Sequence, residues 1–376
     1  MKVVFTCGGT GGHINPAIAV AKVLKLRRPD SEILFVGAQG EMEEKLVPRE
    51  GFRLETLRIS SYERSLSPKS VAHNIKALYR VFSSRRRANQ IIEEFQPDVI
   101  VGTGGYASYP MLRQGAKKGI PTAVHEANAM PGLTTRMVAD SARSIMVCFE
   151  DSKTHYPHPE RVEVVGMPVR EEFIYTRRQD ARKRLNIPED AVLIVSAWGS
   201  LGAREMNKKI VDFIQCEASD GTPFYHIHAT GSFGWRWMPG LVSELGVDLK
   251  KYPRIDMREY IFNMPDVMAA ADLFISRAGA SSLNEIAAAG VPCIIVPSPN
   301  VTDDHQDKNA RVLERRGAAV VIKEADCTGK SLYETAKSLV KDPERCAKMR
   351  SALRSLAVVD SAERICDTIL RLAKSR

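Results

Sequence analysis

Short β-branched runs alternate with helical stretches along this chain, and several runs lead directly into a glycine-rich turn. The clearest case is the run 3–7, which is followed by the turn 8–12 and then by an apolar helical stretch. This order is typical of an α/β fold, in which helices flank a parallel sheet. It predicts strands at 3–7, 33–36, 99–101, 122–124 and 145–148, and a second series at 191–196, 225–229, 273–276 and 294–296.

The two series of strands predict two doubly wound, Rossmann-like domains within 376 residues. They meet near residue 168, in the segment VVGMPVR, so we expect domains at 1–167 and 168–358. The last stretch has apolar residues at Ile365, Ile369, Leu370 and Leu372, a spacing that predicts a terminal amphipathic helix within 359–376.

Lysine and arginine exceed aspartate and glutamate by 54 to 45, a formal charge of +9. This charge suggests nucleic acid, an anionic membrane or a phosphorylated substrate as a partner, and 44% apolar residues rule out a disordered chain. The seven cysteines include no C-x-x-C pair, which argues against a disulfide framework and a zinc ribbon. Because we find neither a signal-peptide core nor an apolar run of about 18 residues, we expect a cytoplasmic protein that is soluble or membrane-peripheral.

The turn at 8–13 (GGTGGH) opens a predicted helix, so its backbone N–H groups can hold an anion. Its spacing matches neither the G-K-[ST] ending of a triphosphatase loop nor the dinucleotide pattern G-x-G-x-x-G. His13 lies at the helix N-terminus, where the positive end of the helix dipole favours a neutral ring that can accept a proton. The alternative for this histidine is a structural role.

Two more polar clusters follow predicted strands of the first half. The turn 102–110 contains three glycines and Tyr106, and the segment at the end of the next strand contains His125, Glu126 and Asn128. Surface polarity alone would explain each cluster. Three clusters at strand ends nevertheless predict one polar cleft, because ligands of open α/β sheets bind outside the carboxyl ends of the strands.

In the second half, the turns 198–203 and 276–285 also follow strands and open helices, which suits phosphate oxygens. Two interpretations of Glu285 stay open. Either it forms a capping box with Ser282 at a helix start, or its carboxylate accepts hydrogen bonds from the two hydroxyls of a ribose. The segment 303–310 (DDHQDKNA) contains no D-x-D pair, so we favour hydrogen bonding to a sugar over metal binding.

Taken together, these motifs resemble the MurG family of N-acetylglucosaminyltransferases, which convert lipid I to lipid II in peptidoglycan synthesis. They occur in one order over nearly the whole chain: GGTGGH at 8–13, GGY at 104–106, HE-x-N-x-x-PG at 125–132, G-x-PVR at 166–170, GS-x-GA at 199–203, SR-x-GA at 276–280 and HQ-x-x-NA at 305–310. The resemblance implies a glycosyltransferase B fold, with an N-terminal acceptor domain and a C-terminal UDP-sugar domain facing across a cleft. The terminal helix would return to the first domain.

The resemblance also implies a reaction and an acceptor site. A muramyl hydroxyl of lipid I attacks the anomeric carbon of UDP-N-acetylglucosamine with inversion, and His13 is the implied catalytic base. Tyr106, His125 and Glu126 would line the acceptor side. No cofactor is required in this interpretation, and a divalent cation would have no D-x-D site.

On the donor side, the resemblance implies that Arg170 and Ser200 hold the diphosphate and that Ile261 presents its backbone to uracil. Glu285 would bind the ribose and Gln306 the sugar hydroxyls. The full implied donor set is Thr10, Gly11, Gly12, Asn128, Arg170, Ser200, Ile261, Ala280, Ser281, Ser282, Leu283, Asn284, Glu285 and Gln306. The chain departs from the family at Trp198 and Leu201, where a glycine and a glutamine are usual.

The stretch 64–90 contains seven basic residues and no acidic one, with apolar residues interleaved at helical spacing. It predicts either an ordinary helix packed on the core or an apolar patch with a basic rim that rests on anionic headgroups. The second interpretation places the protein at the cytoplasmic face of the cell membrane. The basic residues are Arg64, Lys69, Lys76, Arg80, Arg85, Arg86 and Arg87.

Four other functions are alternatives. The chain could be another glycosyltransferase of this fold acting on a membrane glycolipid, or a UDP-N-acetylglucosamine 2-epimerase. A dinucleotide-dependent oxidoreductase is disfavoured because G-x-G-x-x-G is absent, and a non-catalytic scaffold of the cell-wall machinery would not depend on His13 or Glu285. Nucleic-acid binding is disfavoured because the basic residues lack an aromatic stacking platform.

Overall fold

The computed structural model describes residues 1–59, 84–199, 201–221 and 224–374, and the chain forms two compact units. The N-terminal unit comprises Met1–Val169 and Val358–Arg376, and the C-terminal unit comprises Arg170–Ala357. The chain thus passes from the N-terminal to the C-terminal unit after Val169, rather than after residue 167. A Cβ on Gly166, whose φ is +71°, would lie 2.4 Å from the Cβ of Val358, and this close approach keeps both crossing segments within the N-terminal unit.

The N-terminal unit contains a seven-stranded sheet in which all neighbouring strands are parallel. Its strands are β1 (Lys2–Thr6), β2 (Glu32–Ala38), β3 (Arg53–Leu57), β4 (Val99–Gly102), β5 (Thr122–Glu126), β6 (Ser144–Val147) and β7 (Val162–Val164). Their order is β3-β2-β1-β4-β5-β6-β7, so the direction of the strand order reverses between β1 and β4. In open α/β sheets this switch point is where ligands bind.

Helices cover both faces of this sheet, and each face has its own core. Val4 and Leu34 lie in one buried cluster, whereas Val3, Phe5 and Phe35 lie in the other, as the alternation along a strand requires. The helices of the unit are Gly11–Arg27, Glu43–Arg49, a helical segment at 84–95, Ser108–Lys117, Leu133–Val138 and Ser361–Lys374, with 3₁₀ turns at Glu150–His155 and Pro159–Arg161.

The C-terminal unit contains a six-stranded parallel sheet of order β10-β9-β8-β11-β12-β13, with its switch point between β8 and β11. The strands are β8 (Leu193–Ala197), β9 (Tyr225–Ala229), β10 (Ile255–Arg258), β11 (Leu273–Ser276), β12 (Cys293–Ile295) and β13 (Val320–Val321). The helices are Glu172–Tyr175, Arg178–Leu185, Arg204–Ser219, Gly231–Gly234, Met238–Glu244, Met264–Ala270, Ala280–Ala289, His305–Arg315, Gly329–Val340 and Pro343–Leu356. The 3₁₀ turns are Leu249–Lys251, Thr302–Asp304 and Glu324–Asp326.

All nine predicted strands are present, and the prediction missed β3, β7, β10 and β13. These four are the edge strands of the two sheets. Edge strands have one neighbour only, and β3, β7 and β10 include charged residues, whereas β13 is just two residues long. The sequence Arg53–Leu57 (RLETL), for example, contains no continuous apolar run.

The terminal helix Ser361–Lys374 packs on the N-terminal unit, as predicted. Ile365 and Ile369 are buried in the cluster that also contains residues of the helix Gly11–Arg27. Thr368 donates a hydrogen bond to Glu163 Oε2 at 3.0 Å, and Arg371 forms an ion pair with the same carboxylate. None of the helices in the described residues is long and apolar enough to cross a membrane.

Arg182 is the largest fully buried side chain of the described residues, and it fastens the start of the C-terminal unit to its sheet. Its Nη2 lies 2.7 Å from Asp272 Oδ2, and its other nitrogens donate to the carbonyl oxygens of Ala270, Pro188, Glu189 and Ala191. The carboxylate of Asp272 also accepts from the backbone N–H of Leu193 at the start of β8. The guanidinium therefore satisfies several buried carbonyls at once.

We expect Arg182→Leu to lower the free energy of unfolding of the C-terminal unit by about 3–5 kcal/mol, because Asp272 would be left as a half-buried charge with fewer partners. Urea unfolding followed by circular dichroism measures the change. Arg184→Leu is the matched control, since Arg184 lies on the same helix but makes an exposed pair with Asp266. Equal unfolding midpoints for the two variants would contradict the assignment.

Candidate active site

His13 lies in the first turn of the helix Gly11–Arg27, at the switch point of the N-terminal sheet. Its Nδ1 is 2.9 Å from the carbonyl oxygen of Gly8 and 3.3 Å from Thr10 Oγ1. A carbonyl oxygen only accepts, so Nδ1 carries the proton and donates it to Gly8. The lone pair of a neutral ring is then on Nε2, which is the arrangement that a general base needs.

Two glycine turns pack against each other around this ring. A Cβ on Gly104, whose φ is +107°, would lie 2.6 Å from His13 Cδ2, and a Cβ on Gly105 would lie 2.3 Å from the carbonyl oxygen of Gly8. Thr103 Oγ1 donates to the carbonyl of His13 at 2.7 Å. The GGY turn is therefore glycine-rich because it supports the imidazole ring by direct backbone contact.

The other predicted site residues of the turns 8–12 and 102–110 are exposed or only partly buried. Thr10 is exposed, and Gly11 and Gly12 begin the helix, where backbone N–H groups have no acceptor in the preceding turn. Tyr106 is partly exposed, and its hydroxyl donates to Glu41 Oε1 at 3.0 Å. Burial and this carboxylate raise the pKa of Tyr106, so its hydroxyl stays protonated.

His125 and Glu126 do not line an open surface, contrary to the prediction from the sequence. His125 is 1% exposed at the end of β5, and its Nε2 donates to the carbonyl of Gly166 at 2.8 Å. Burial lowers its pKa, so the ring is neutral. This hydrogen bond anchors the segment that leads to the C-terminal unit.

The carboxylate of Glu126 is occupied by four hydrogen bonds. Oε1 accepts from the backbone and side-chain nitrogens of Asn128, both at 3.0 Å. Oε2 accepts from the N–H of Gly132 at 2.9 Å and from Thr135 Oγ1 at 2.7 Å. Glu126 therefore orients Asn128 and organises the start of the helix Leu133–Val138. Its acidity was visible in the sequence, but its partners were not.

In the C-terminal unit, the helix Ala280–Ala289 begins at the switch point between β8 and β11. Its N-cap is Gly279, and no side chain caps it. Ser282 is thus inside the helix, and the capping-box interpretation of Ser282 and Glu285 is wrong. The backbone N–H groups of Ala280, Ser281 and Ser282 form the first turn, which suits an anion.

Glu285 lies one turn further along this helix and is partly buried. Burial raises its pKa to about 7, and the positive charge of Arg170 opposes that rise. The carboxylate makes no hydrogen bond to another described residue. A carboxylate that has a raised pKa, lies beside an arginine and makes no hydrogen bond to another described residue is typical of a binding or catalytic site.

Two other predicted donor residues of this helix have different surroundings. Leu283 is 1% exposed and belongs to the core of the unit. The side-chain amide of Asn284 donates to the carbonyl of Ala280 at 2.8 Å. Leu283 can therefore contact a ligand only through its backbone, whereas the amide nitrogen of Asn284 is engaged within its own helix.

Gln306 connects two loops next to the helix Ala280–Ala289. Its Oε1 accepts from the N–H of Ser298 at 2.9 Å and from the N–H of Ala278 at 3.3 Å, which leaves its amide nitrogen for a ligand. Asn309, which belongs to the motif HQ-x-x-NA but is not among the predicted site residues, is fully buried and donates to the carbonyl of Ala278 at 3.2 Å. Its spacing of three residues from Gln306 places both on one face of the helix.

Ile261 is 3% exposed, but its neighbours Tyr260 and Phe262 are 46% and 85% exposed and their rings lie 4.9 Å apart. Together with Ser232 and Glu259 they line a cavity of about 460 Å³.

Ser200, a predicted donor-binding residue, lies outside the described residues. Among the described residues, no group of three histidine, cysteine or acidic side chains is placed to hold a metal ion.

Glu285 is expected to lower the stability of the unit at neutral and alkaline pH. Its folded pKa of about 7 exceeds the ordinary value of 4.5, so its contribution to stability is full below pH 4.5 and is lost as the pH rises through 7. At pH 8, Glu285→Gln should raise the free energy of unfolding by roughly 1–3 kcal/mol, since one pKa unit corresponds to about 1.4 kcal/mol. At about pH 4, where the carboxyl is mostly protonated in both states, the variant and the wild type should unfold at nearly the same temperature.

Thermal unfolding at both pH values checks this expectation. The exposed carboxylate of Glu344, paired with Lys348, provides the control variant Glu344→Gln. A Glu285→Gln variant that is less stable than the wild type at pH 8 would show that the carboxylate has a stabilising partner.

Comparisons with known proteins assign both units of the chain to one family. Residues 3–147 match the glycosyltransferase family 28 N-terminal domain, and residues 192–365 match the glycosyltransferase family 28 C-terminal domain. A relative from Acetivibrio thermocellus is 39% identical over 376 residues, covering 100% of this chain and 99% of its own. Another, from Thermoanaerobacter sp., is 40% identical over 365 residues, covering 97% and 98%. Both are named UDP-N-acetylglucosamine--N-acetylmuramyl-(pentapeptide) pyrophosphoryl-undecaprenol N-acetylglucosamine transferase.

A solved structure of MurG from Acinetobacter baumannii superposes with a TM-score of 0.77 at 24% identity, and covers 98% of this chain and 99% of its own. This likeness shows the fold, which is the glycosyltransferase B fold expected from the sequence. The full-length identity to the curated relatives shows more than the fold. This chain belongs to glycosyltransferase family 28 and, within it, to the MurG family of N-acetylglucosamine transferases.

Proposed function

We propose that this enzyme transfers N-acetylglucosamine from UDP-N-acetylglucosamine to the muramyl 4-hydroxyl of lipid I, with inversion, to give lipid II. The observation that carries the proposal is the full-length identity of 39–40% to relatives with that name. In the proposed division of labour, residues 1–167 bind the acceptor and 168–358 bind the donor.

His13 Nε2 is the proposed general base. As the hydroxyl oxygen forms its bond to the anomeric carbon, its proton moves to Nε2 and the bond from that carbon to the UDP oxygen breaks. Support for this role comes from the Nδ1–H donated to Gly8, because it leaves the Nε2 lone pair for the substrate. Proton transfer of this kind typically accelerates a reaction by about 10²–10⁴-fold.

The negative charge that develops on UDP needs stabilisation. The open N–H groups of the helix Ala280–Ala289 and the guanidinium of Arg170 can supply it, together with Ser200 on the evidence of the sequence. Because these groups suffice and the sequence contains no D-x-D pair, we propose that the transfer needs no metal cofactor. Glu285 would accept hydrogen bonds from the ribose hydroxyls, and the amide nitrogen of Gln306 would bind the sugar.

The test is the release of UDP from UDP-N-acetylglucosamine in the presence and absence of a lipid I analogue. We expect release only with the analogue, and a loss of roughly 10²-fold or more in both His13→Ala and Glu285→Ala. Glu344→Ala, in an exposed pair, is the control and should keep full activity.

The other outcomes of this assay would favour one of the alternative functions. Release of UDP without any acceptor would indicate an epimerase or a hydrolase. No release with any muramyl lipid would favour a different glycolipid acceptor or a scaffold, and activity retained in His13→Ala would remove His13 as the base.

We also propose that the enzyme acts as a peripheral protein at the cytoplasmic face of the cell membrane, through the basic stretch 64–90. Most of this stretch, including Arg64, Lys69, Lys76 and Arg80, lies outside the described residues. Of the three arginines that are described, only Arg86 is exposed: Arg85 is partly buried, and Arg87 pairs with Glu55 at 2.8 Å. The three arginines are thus not equivalent, contrary to their grouping in the sequence. Nucleic acid is not a proposed partner.

Among the described arginines, Arg86→Gln should therefore weaken binding to anionic vesicles the most, since a free basic residue near the surface contributes about 1 kcal/mol. Co-sedimentation with vesicles containing phosphatidylglycerol, at low salt, measures this binding. Arg87→Gln serves as the comparison because its charge is already neutralised by Glu55. Unchanged binding in the triple variant of Arg85, Arg86 and Arg87 would exclude these arginines from the membrane contact.

A further inference from the structure

Glu43 is a fully buried carboxylate next to the turn that carries His13. It is the first residue of the helix Glu43–Arg49 and is 0% exposed. Its Oε1 accepts hydrogen bonds from the N–H of Gly9 at 3.1 Å and from the N–H of Ala38 at 3.2 Å. Its Oε2 is buried and finds no hydrogen-bond partner among the described residues. A buried carboxylate with so few partners is costly, which points to a functional reason for its presence.

The backbone around Glu43 is shaped to admit it. A Cβ on Gly37 would lie 2.9 Å from Glu43 Cγ, so any larger residue at position 37 would push the side chain away. A Cβ on Gly8 would lie 3.2 Å from Glu43 Oε1. Glycine at both positions therefore allows the carboxylate to reach the turn.

The hydrogen bonds of Glu43 and His13 meet on one peptide group. The N–H of Gly9, which donates to Glu43, and the carbonyl of Gly8, which accepts from His13 Nδ1 at 2.9 Å, belong to the same peptide unit. An uninterrupted chain therefore runs from the carboxylate through this peptide to the imidazole. Each hydrogen bond in such a chain polarises the next, and the carboxylate makes the Gly8 carbonyl a better acceptor.

We propose that Glu43 is a positioning residue for His13, acting through the Gly8–Gly9 peptide. This inference rests on the proposed function, in which His13 is the base. By holding the N–H of Gly9, which has a φ of +82°, Glu43 keeps the Gly8 carbonyl turned toward Nδ1. The Nδ1–H tautomer is thereby favoured, the Nε2 lone pair faces the acceptor hydroxyl, and the negative charge of Glu43 stabilises the imidazolium formed by proton transfer.

The arrangement also changes the role of the first glycine turn. Because the N–H of Gly9 is occupied by a carboxylate, it is not available to an anionic ligand. The anion-binding capacity expected from the sequence for residues 8–12 therefore excludes this one amide. The N–H of Gly9 thus supports the position of His13 rather than binding a phosphate.

Two variants of Glu43 separate geometry from charge. In Glu43→Gln the amide oxygen can still accept from Gly9 and Ala38, but the negative charge is lost; in Glu43→Ala both are lost. Glu44→Gln is the matched control, because Glu44 is in the same helical turn and its carboxylate also accepts a backbone N–H, that of Gly40 at 2.9 Å, without touching the Gly8–Gly9 peptide.

The first readout is the tautomer of His13, measured by ¹⁵N NMR of histidine-labelled enzyme, with the His13 signals assigned from His13→Gln. The wild type should show a protonated Nδ1 and an unprotonated Nε2, and Glu43→Ala should show a mixture of tautomers. This measurement needs no substrate. It therefore tests the link even if the transfer reaction to lipid I fails.

The second readout is the separation of kcat from KM with UDP-N-acetylglucosamine and a lipid I analogue. Glu43→Gln should lower kcat about 10-fold and Glu43→Ala about 100-fold, with both KM values within about twofold of the wild type, as is typical for residues that orient a catalytic group. A protonated Nε2 in the wild type, or an unchanged kcat in Glu43→Gln, would overturn the proposal. If Glu43→Ala fails to fold, Glu43→Gln, which keeps the shape of the side chain, decides the question alone.

Discussion

Parallel strand pairing is the constraint on which the position of each site residue depends. In each unit all strands run in one direction, so every loop at a carboxyl end lies on the same edge of its sheet. The switch point then places two of these loops side by side: the turns after β1 and β4 in the N-terminal unit, and those after β8 and β11 in the C-terminal unit. The combination of a glycine turn and a helix start thus occurs twice, once around His13 and once at Ala280.

Near each switch point the structure holds a carboxylate in an environment that is unfavourable for its charge. Glu285 is held at a pKa near 7 with no hydrogen bond from another described residue, and Glu43 has one buried oxygen without a partner among the described residues. By contrast, carboxylates that only organise the backbone are satisfied: Glu126 has four hydrogen bonds, and Asp272 pairs with arginines. Glu43 and Glu285 thus have fewer hydrogen-bond partners than Glu126 and Asp272, which organise the backbone.

Much of the fold could be predicted because the central strands are buried on both faces. Such strands are continuous apolar runs, and all nine were found in the sequence. The edge strands β3, β7 and β10 were missed because they carry charged residues, and β13 was missed because it has only two residues; pairing with a neighbour is what makes them strands. The site motifs were also visible, since glycine turns and helix starts are local features. The burial of His125 and Glu126 was not predicted because it depends on how other elements pack around the end of β5, and the partner of His125, Gly166, is 41 residues away in the chain.

The sequence by itself determined the α/β fold, the two units and the motifs of the family, and it singled out His13 and Glu285 as candidate site residues. These depend on local periodicity and on residue type. Only the tertiary structure decided which nitrogen of His13 is free, that Ser282 is not a cap, and that Glu43 reaches the turn of His13. The physical reason is that a hydrogen-bond partner or a raised pKa is a property of the surroundings, and the surroundings of residues 8 and 43 are brought together only when β1 and β2 pair.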